Sequence, residues 1–296
     1  MDHARLVIVA AFVPLFLMVG CAFSSSAPLP GPVPVSVPVP AKFVGGYLQS
    51  GTSLLPRSLP AGYTLLFSAF ALIESNGSVF YEPDQDNDAL VADIAARKAA
   101  GQPVILSVGG AGGAKSGLTS TSQRKAFLSS IMPVIDKYGF SGIDWDIETD
   151  GKVSVDNLAA ASRSLVDHYG RAFVITVAPY GSTTATYKQL VRKIKDILTF
   201  VGYQFYGTDN IPTPDSVVAE MESWITDCGI LPSQFSLGFM PQDGDGRVTS
   251  YDAIVSIYHA VRSKYPTVRG VWIWAINFDQ TSGYQFVDTL APVVQG

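Results

Sequence analysis

Short apolar runs and amphipathic stretches alternate along the chain from residue 42 onward. Eight runs rich in β-branched and aromatic residues predict strands, namely Phe43–Gln49, Thr64–Leu72, Pro103–Val108, Phe140–Ile147, Phe173–Ala178, Phe200–Phe205, Phe235–Met240 and Val268–Ile276. Six stretches with helical periodicity follow most of these strands, namely Asp88–Ala100, Ser122–Tyr138, Val155–Tyr169, Thr186–Leu198, Asp215–Asp227 and Tyr251–Lys264. Eight strands alternating with helices over about 250 residues predict an α/β fold, a closed (β/α)8 TIM barrel. Five or six strands would instead favour an open doubly wound sheet.

The N-terminal residues break this alternation. Leu6–Val19 is an almost unbroken apolar run after Arg5, a pattern typical of the core of a secretory signal. The apolar character continues to Phe23, so an uncleaved membrane anchor is an alternative. Met18–Cys21 also resembles a bacterial lipobox, in which the cysteine is acylated. We therefore predict a signal peptide or lipoprotein signal or anchor over residues 1–23, and a secreted protein or one held at the membrane through Cys21.

Residues 24–41 are rich in proline. Six prolines lie between Pro28 and Pro40, alternating with valine and leucine. Proline fixes φ and lacks an N–H donor, so this composition predicts an extended, polyproline-like linker. A pro-segment without a further role is the alternative. The domain boundaries predicted on this basis are a linker over 24–41 and the barrel over 42–296.

Composition and charge exclude several classes of function. The chain is 47% hydrophobic and only 15% charged, which is typical of a folded protein rather than a disordered one. Its formal net charge is −5 and it has no dense cluster of lysine and arginine, so nucleic acid is not an expected partner. Two cysteines cannot form a disulfide framework or a zinc site. We expect a monomer with no cofactor and no metal.

Three acids alternate with apolar residues on the fourth predicted strand. Asp144, Asp146 and Glu148 have a spacing of two, which places their carboxyl groups on one face, toward the C-terminal end of the strand. A strand of a parallel sheet is buried on both faces, so these acids repel one another and lose hydration. At least one of them should therefore hold a proton at neutral pH. A solvated acidic face and a metal site are the alternatives, and no histidine lies nearby to support the metal site.

Four motifs resemble those of a known family. Ser141–Glu148 resembles the DGxDxDxE signature of family 18 glycoside hydrolases, the chitinases. Ser107–Gly110 is similar to the SxGG motif of that family, and Gln204–Tyr206 to its tyrosine motif. Gly270–Trp274 resembles the strand whose tryptophan forms the floor of the sugar site. The resemblance is closer to the small single-barrel members, which have no inserted α+β domain.

The resemblance implies a chitinase that hydrolyses β-1,4-linked N-acetylglucosamine with retention, the 2-acetamido oxygen of the substrate being the nucleophile. It implies that Glu148 is the acid, that Asp146 orients the acetamido group and that Asp144 shares charge with Asp146. Tyr206 would donate to the acetamido carbonyl oxygen, and Trp274 would form an apolar platform for the sugar. The alternatives are an endo-β-N-acetylglucosaminidase acting on N-glycans and a chitin-binding lectin without activity.

Further residues at predicted strand ends are candidates for substrate binding. They are Tyr47, Phe70, Gly110, Tyr180, Gln204, Met240 and Gln242. For Tyr47 and Phe70, packing inside the barrel is an equal alternative. Ser141 stands where the family signature has aspartate, and its odd number places it off the face of the acids. We expect it to affect the support of the strand rather than the acids.

Overall fold

The structure is a computed structural model that describes residues 36–49, 51–149, 151–207, 211–241 and 249–296. The predicted signal or anchor, including Cys21, lies outside these ranges, as do most of the predicted linker and Gln242. Within them, no helix has the length and apolar character needed to cross a membrane.

Strands and helices alternate through the described residues. The strands are β1 (Phe43–Gln49), β2 (Tyr63–Ile73), β3 (Val79–Phe80), β4 (Val104–Ala111), β5 (Gly142–Glu148), β6 (Val174–Val177), β7 (Phe200–Gln204), β8 (Phe235–Phe239) and β9 (Gly270–Ile273). The helices are α1 (Asn87–Ala99), α2 (Thr121–Tyr138), α3 (Val155–Tyr169), α4 (Thr184–Ile194), α5 (Pro214–Cys228), α6 (Tyr251–Lys264), α7 (Ile276–Thr281) and α8 (Gln285–Gln295). The bounds of β1, α3 and α6 coincide with the predicted ones, and most other bounds differ by one or two residues.

Eight of the strands close into a parallel barrel. The pairing order runs β1, β9, β8, β7, β6, β5, β4 and β2, and β2 pairs back with β1. The two-residue strand β3 pairs antiparallel with β2 and lies outside the barrel. The predicted (β/α)8 fold is confirmed. Since all eight barrel strands are parallel, their C-terminal ends meet at one face, where such barrels carry their sites.

Local capping defines the ends of several helices. Before α2, the Ser120 hydroxyl accepts from the Gln123 backbone N–H, and the Gln123 side chain accepts from the Ser120 N–H in return. Gly139 ends that helix at φ +75°, a left-handed conformation that glycine adopts without steric cost. The sequence alone therefore specifies where this helix starts and stops.

The C-terminal helices were not predicted. The last predicted strand was extended to Ile276, but β9 ends at Ile273 and Ile276 begins α7. Helix α8 is held from a distance, because the buried carboxylate of Asp279 accepts hydrogen bonds from the backbone N–H groups of Phe286 and Val287. No neighbouring side chain caps α8, and its sequence contains Pro292, so the usual local signals are missing.

Apolar side chains fill both the inside of the barrel and the layer between strands and helices. Inside, a cluster of large residues comes from strands all around the barrel and includes Phe43, Leu65, Phe67, Ile105, Phe200 and Trp272. Trp272 is fully buried within this cluster. Gly202 and Gly238 leave the room for its ring, since a Cβ on Gly238 would lie 2.1 Å from the Trp272 Cζ2 atom.

The packed domain begins slightly earlier than the predicted boundary at residue 42. Val39 was assigned to the linker, yet it is only 8% exposed and joins the apolar cluster inside the barrel. The Arg269 guanidinium also donates to the Val39 carbonyl oxygen, at 3.3 Å. The end of the proline-rich segment is therefore part of the folded unit, because its apolar side chain covers the bottom of the barrel interior.

Ser141 lies just before β5 and is fully buried. Its backbone N–H donates to the Val104 carbonyl oxygen, and its own carbonyl oxygen accepts from the Val174 N–H, so it joins β5 to both neighbouring strands. The Ser141 hydroxyl, however, has no hydrogen-bond partner among the described residues. Its contribution is to the support of the strand, through the backbone.

We predict that Ser141→Ala raises the free energy of unfolding by about 1 kcal/mol, because a buried hydroxyl without a partner lowers stability. Ser162→Ala is the matched control. That hydroxyl is also buried, but it accepts from the Trp145 indole N–H at 2.9 Å and donates to the Leu158 carbonyl oxygen. Urea denaturation should show the control losing stability, and equal losses in both variants would contradict the prediction.

Candidate active site

The three acids of β5 lie together at the C-terminal end of the barrel, on the inward face. Asp144 is deepest, with 1% of its surface exposed, Asp146 is 4% exposed, and Glu148 at the end of the strand is partly exposed. The predicted alternation is therefore correct: the acids share one face, and Trp145 packs among the helices on the other. No group of three or more His, Cys, Asp or Glu in the described ranges forms a candidate metal site.

Asp144 is surrounded by hydroxyl groups. Tyr47 and Ser107 donate to its Oδ2 atom at 2.9 and 2.8 Å, and Thr176 donates to Oδ1 at 2.7 Å. The strand register produces this arrangement, since Ser107 on β4 and Thr176 on β6 both stand directly opposite Asp144. Burial raises the pKa of Asp144, and these three hydrogen bonds partly oppose that rise.

Two of the residues that donate to Asp144 differ from what was predicted for this site from the sequence. Tyr47 was a candidate for substrate contact or, equally, for packing inside the barrel; it is 2% exposed, stacks on Phe67 and donates to Asp144. Thr176 was missed entirely. Its signal was present in the sequence, because it is the lone polar residue of the short strand Val174–Val177, where an apolar side chain would be usual.

Asp146 and Glu148 are neighbouring carboxyl groups on the inner face of β5. The Gln204 side-chain amide donates to Asp146 Oδ1 at 3.0 Å and to the Ala178 carbonyl oxygen at 2.8 Å, which fixes its orientation. Burial raises the pKa of Asp146 well above its ordinary value, and the nearby charges of Glu148 and Asp144 raise it further. Burial also raises the pKa of Glu148. Such a pair holds a proton at a pH where isolated carboxyl groups have lost theirs.

A cavity of about 370 Å³ opens beside this pair. Its lining residues are Phe70, Ala111, Asp146, Glu148, Tyr180, Gln204, Tyr206, Gly207, Met240 and Trp274. Most of the predicted site residues are therefore brought together in one place. Of the other predicted residues, Asp144 and Tyr47 lie beneath the cavity, Gly110 lies behind its lining, and Gln242 lies outside the described residues. Two lining residues, Ala111 and Gly207, were not predicted.

Aromatic rings form one wall of the cavity. Trp274 and Phe70 are stacked, with ring centroids 5.3 Å apart and an interplanar angle of 22°. The edge of the Tyr206 ring contacts Trp272 below, at 6.0 Å and 84°. Burial, and then the charges of Asp146 and Glu148, raise the pKa of Tyr206 well above its ordinary value, so its hydroxyl keeps its proton and can donate. The wall thus combines an apolar surface with a hydrogen-bond donor.

Gly110 supports the cavity without lining it, in contrast to the substrate contact predicted for it. Its φ is +76°, and a Cβ there would lie 2.4 Å from the Cε2 atom of Phe70. Gly109 has φ +113°, and its Cβ would lie 2.3 Å from the Asp146 carbonyl oxygen. Only glycine allows the end of β4 to pass this close to both residues. The next residue, Ala111, lines the cavity instead.

The arrangement is suited to acid catalysis on a sugar that carries an amide. Glu148 is a partly exposed carboxyl group with a raised pKa, as a proton donor at mildly acidic or neutral pH requires. Asp146 beside it can accept a hydrogen bond, and Tyr206 can donate one. Trp274 offers the flat apolar surface on which sugar rings pack.

Comparisons with known proteins agree with this geometry. A family model described as glycosyl hydrolases family 18 matches residues 43–241. The "Probable class II chitinase" of Arthroderma benhamiae is 29% identical over 268 residues, covering 69% of this chain and 80% of that protein. Endochitinase 4 of Metarhizium robertsii is 27% identical over 270 residues, covering 77% of each.

A solved structure shares the fold. The family GH18 chitinase from Chromobacterium violaceum superposes with a TM-score of 0.79 at 22% identity, over 90% of this chain and 87% of that one. The family match itself runs from the start of β1 past the end of β8 and so includes all three acids, Gln204 and Tyr206. This chain therefore belongs to family 18 of the glycosyl hydrolases.

Proposed function

We propose that this protein is a chitinase that hydrolyses the β-1,4 bonds between N-acetylglucosamine units, with retention and with assistance from the substrate. The single observation that supports the proposal most strongly is that one cavity is lined by Asp146 and Glu148 together with Tyr206 and Trp274. The names of the related chitinases point to the same substrate class.

In the proposed first step, Glu148 protonates the glycosidic oxygen as the bond from C1 to that oxygen breaks. The acetamido carbonyl oxygen of the same sugar forms a bond to C1, which gives an oxazolinium ion and the shortened leaving chain. Asp146 accepts a hydrogen bond from the acetamido N–H and stabilises the positive charge that develops there. Asp144 lies beneath Asp146, and its charge adds to burial and to the charge of Glu148 in raising the pKa of Asp146.

The remaining residues orient the sugar. Tyr206 donates its hydroxyl to the acetamido carbonyl oxygen, and Trp274 packs against the ring. In the second step, the ionised Glu148 removes a proton from a water molecule that attacks C1, and the oxazolinium ring opens. Two inversions at C1 leave the product with the β configuration of the substrate.

The test is to compare two hexasaccharides, chitohexaose and cellohexaose. The proposal requires cleavage of chitohexaose, with the β anomer seen first by proton NMR, and no cleavage of cellohexaose, which lacks the acetamido nucleophile. An initial α anomer would contradict the retaining mechanism. Binding of chitohexaose without cleavage would indicate a lectin, and release of glycans from a high-mannose glycopeptide alone would indicate an endo-β-N-acetylglucosaminidase.

We also propose that the enzyme works outside the cytoplasmic membrane, either released or tethered through Cys21. The support is the apolar run Leu6–Val19 after Arg5, followed by the proline-rich linker. Mass spectrometry of the mature N-terminus from the native host tests this. A chain that keeps residues 1–23 unmodified in the cytoplasm would contradict the proposal.

A further inference from the structure

The acid-bearing end of β5 lacks a strand partner on one side. Strand β4 pairs with β5 as far as Glu148, opposite Ala111. On the other side, β6 pairs with β5 only from Gly142 to Trp145 and ends at Val177. The last backbone hydrogen bond from that side is donated by the Ala178 N–H to the Trp145 carbonyl oxygen, at 2.9 Å.

The hydroxyl of Tyr187 occupies the place of the missing strand. Tyr187 projects from α4, and only 3% of its surface is exposed. Its hydroxyl oxygen accepts a hydrogen bond from the Ile147 backbone N–H at 2.6 Å, and its proton is donated to the Trp145 carbonyl oxygen at 3.0 Å. The hydroxyl thus supplies the acceptor that a neighbouring strand would offer to the Ile147 N–H, and it adds a second hydrogen bond to the Trp145 carbonyl oxygen, which already accepts from the Ala178 N–H.

The two backbone groups that Tyr187 holds flank Asp146, and Ile147 directly precedes Glu148. Resting on the proposed function, we infer that Tyr187 is a positioning residue for the acid pair. It is not among the residues that line the cavity, and its hydroxyl bonds to the backbone from which both carboxyl groups project.

The Tyr187 hydroxyl stays protonated, as a permanent hydrogen-bond donor to the backbone must. Burial, followed by the charge of Asp146, raises the pKa of Tyr187 well above its ordinary value, so the group keeps its proton throughout the working range of pH. Phenylalanine at this position would keep the ring packing but leave the buried Ile147 N–H without its acceptor. The end of β5 would then move to satisfy that group, and small displacements of catalytic groups have large effects on rate.

The test is Tyr187→Phe, with Tyr169→Phe as the matched control. Tyr169 is also buried on a helix, and its hydroxyl bonds to Asp136 and to the Met132 carbonyl oxygen, remote from the acids. On chitohexaose, Tyr187→Phe should lower kcat about 10-fold to 100-fold with KM changed less than about threefold. The control should lose thermal stability to a similar degree and keep its kcat.

Equal kcat in the parent and in folded Tyr187→Phe would overturn the inference while leaving the proposed function intact. If the parent itself does not cleave chitohexaose, the proposed function fails instead. A second measurement requires no variant. In the parent, the Ile147 amide should exchange with deuterium as slowly as neighbouring amides of β5, and exchange as fast as at an exposed amide would overturn the inference.

Discussion

Replacing Glu148 by glutamine is expected to lower kcat on chitohexaose about 10³-fold, because the amide cannot donate a proton to the glycosidic oxygen. The side chain keeps its size, and its place at the cavity wall is unchanged. We therefore expect KM to change less than about threefold, since binding of the ground state does not use the transferred proton. Steady-state kinetics with product analysis by mass spectrometry measure both constants.

Glu222→Gln is the control for this change. Glu222 is a surface residue that pairs with Lys264 at 2.8 Å, so the variant removes one carboxylate without touching the barrel interior. It should retain parental kcat. If Glu148→Gln also retained parental kcat, Glu148 would not be the acid, and the assignment of roles on β5 would be wrong.

Replacing Asp146 by asparagine is expected to lower kcat about 10²-fold to 10³-fold, because the negative charge that stabilises the oxazolinium ion is lost. The same change is expected to stabilise the protein at neutral pH. Asp146 is almost fully buried, and its pKa in the folded protein is raised well above its ordinary value, first by burial and then by Glu148. A neutral amide in this position removes that penalty.

The direction in which stability changes with pH follows from the difference between the pKa values of Asp146 in the folded and unfolded chain. Because the pKa of Asp146 is higher in the folded chain than in the unfolded one, its contribution to stability is complete below the unfolded value of about 4. The contribution is lost as the pH rises through the raised folded value. Melting temperatures measured from pH 4 to pH 8 should therefore fall more steeply for the parent than for Asp146→Asn.

Asp167→Asn serves as the control, since Asp167 is exposed on α3. It should show the same slope of melting temperature against pH as the parent. An Asp146→Asn variant with an unchanged slope would contradict a raised pKa for Asp146. Full activity in that variant would contradict its role beside the acetamido group. Together, these outcomes separate the catalytic effect from the stability effect at a single position.

The sequence alone was sufficient to predict the eight strands of the barrel, its closure and the three acids, but not the short outer strand β3. Repeated apolar runs bounded by glycine and by capping residues such as Ser120 are local signals, and the structure reproduces them closely. The spacing of Asp144, Asp146 and Glu148 also required no tertiary information, because side chains alternate along any strand.

Interactions between residues that lie far apart in the sequence could not be predicted from these local signals. Asp279 caps α8 from within the preceding segment, and Val39 enters the barrel from the proline-rich segment. Gly110, in the SxGG-like segment, was a candidate substrate contact, but it is the ring of Phe70, 40 positions earlier, that leaves no room for a Cβ there. The relative positions of such residues depend on how the strands pair.

Local periodicity thus settled which side chains leave β5 on the inner face, since that depends only on the geometry of an extended chain. The tertiary structure determined which residues contact those side chains. Closure of the barrel and the register between strands place the hydroxyls of Tyr47, Ser107 and Thr176 on Asp144. The early end of β6 leaves room for Tyr187. Burial by the folded barrel then raises the pKa of each of the three acids, and for Asp146 the charges of the neighbouring Glu148 and Asp144 raise it further.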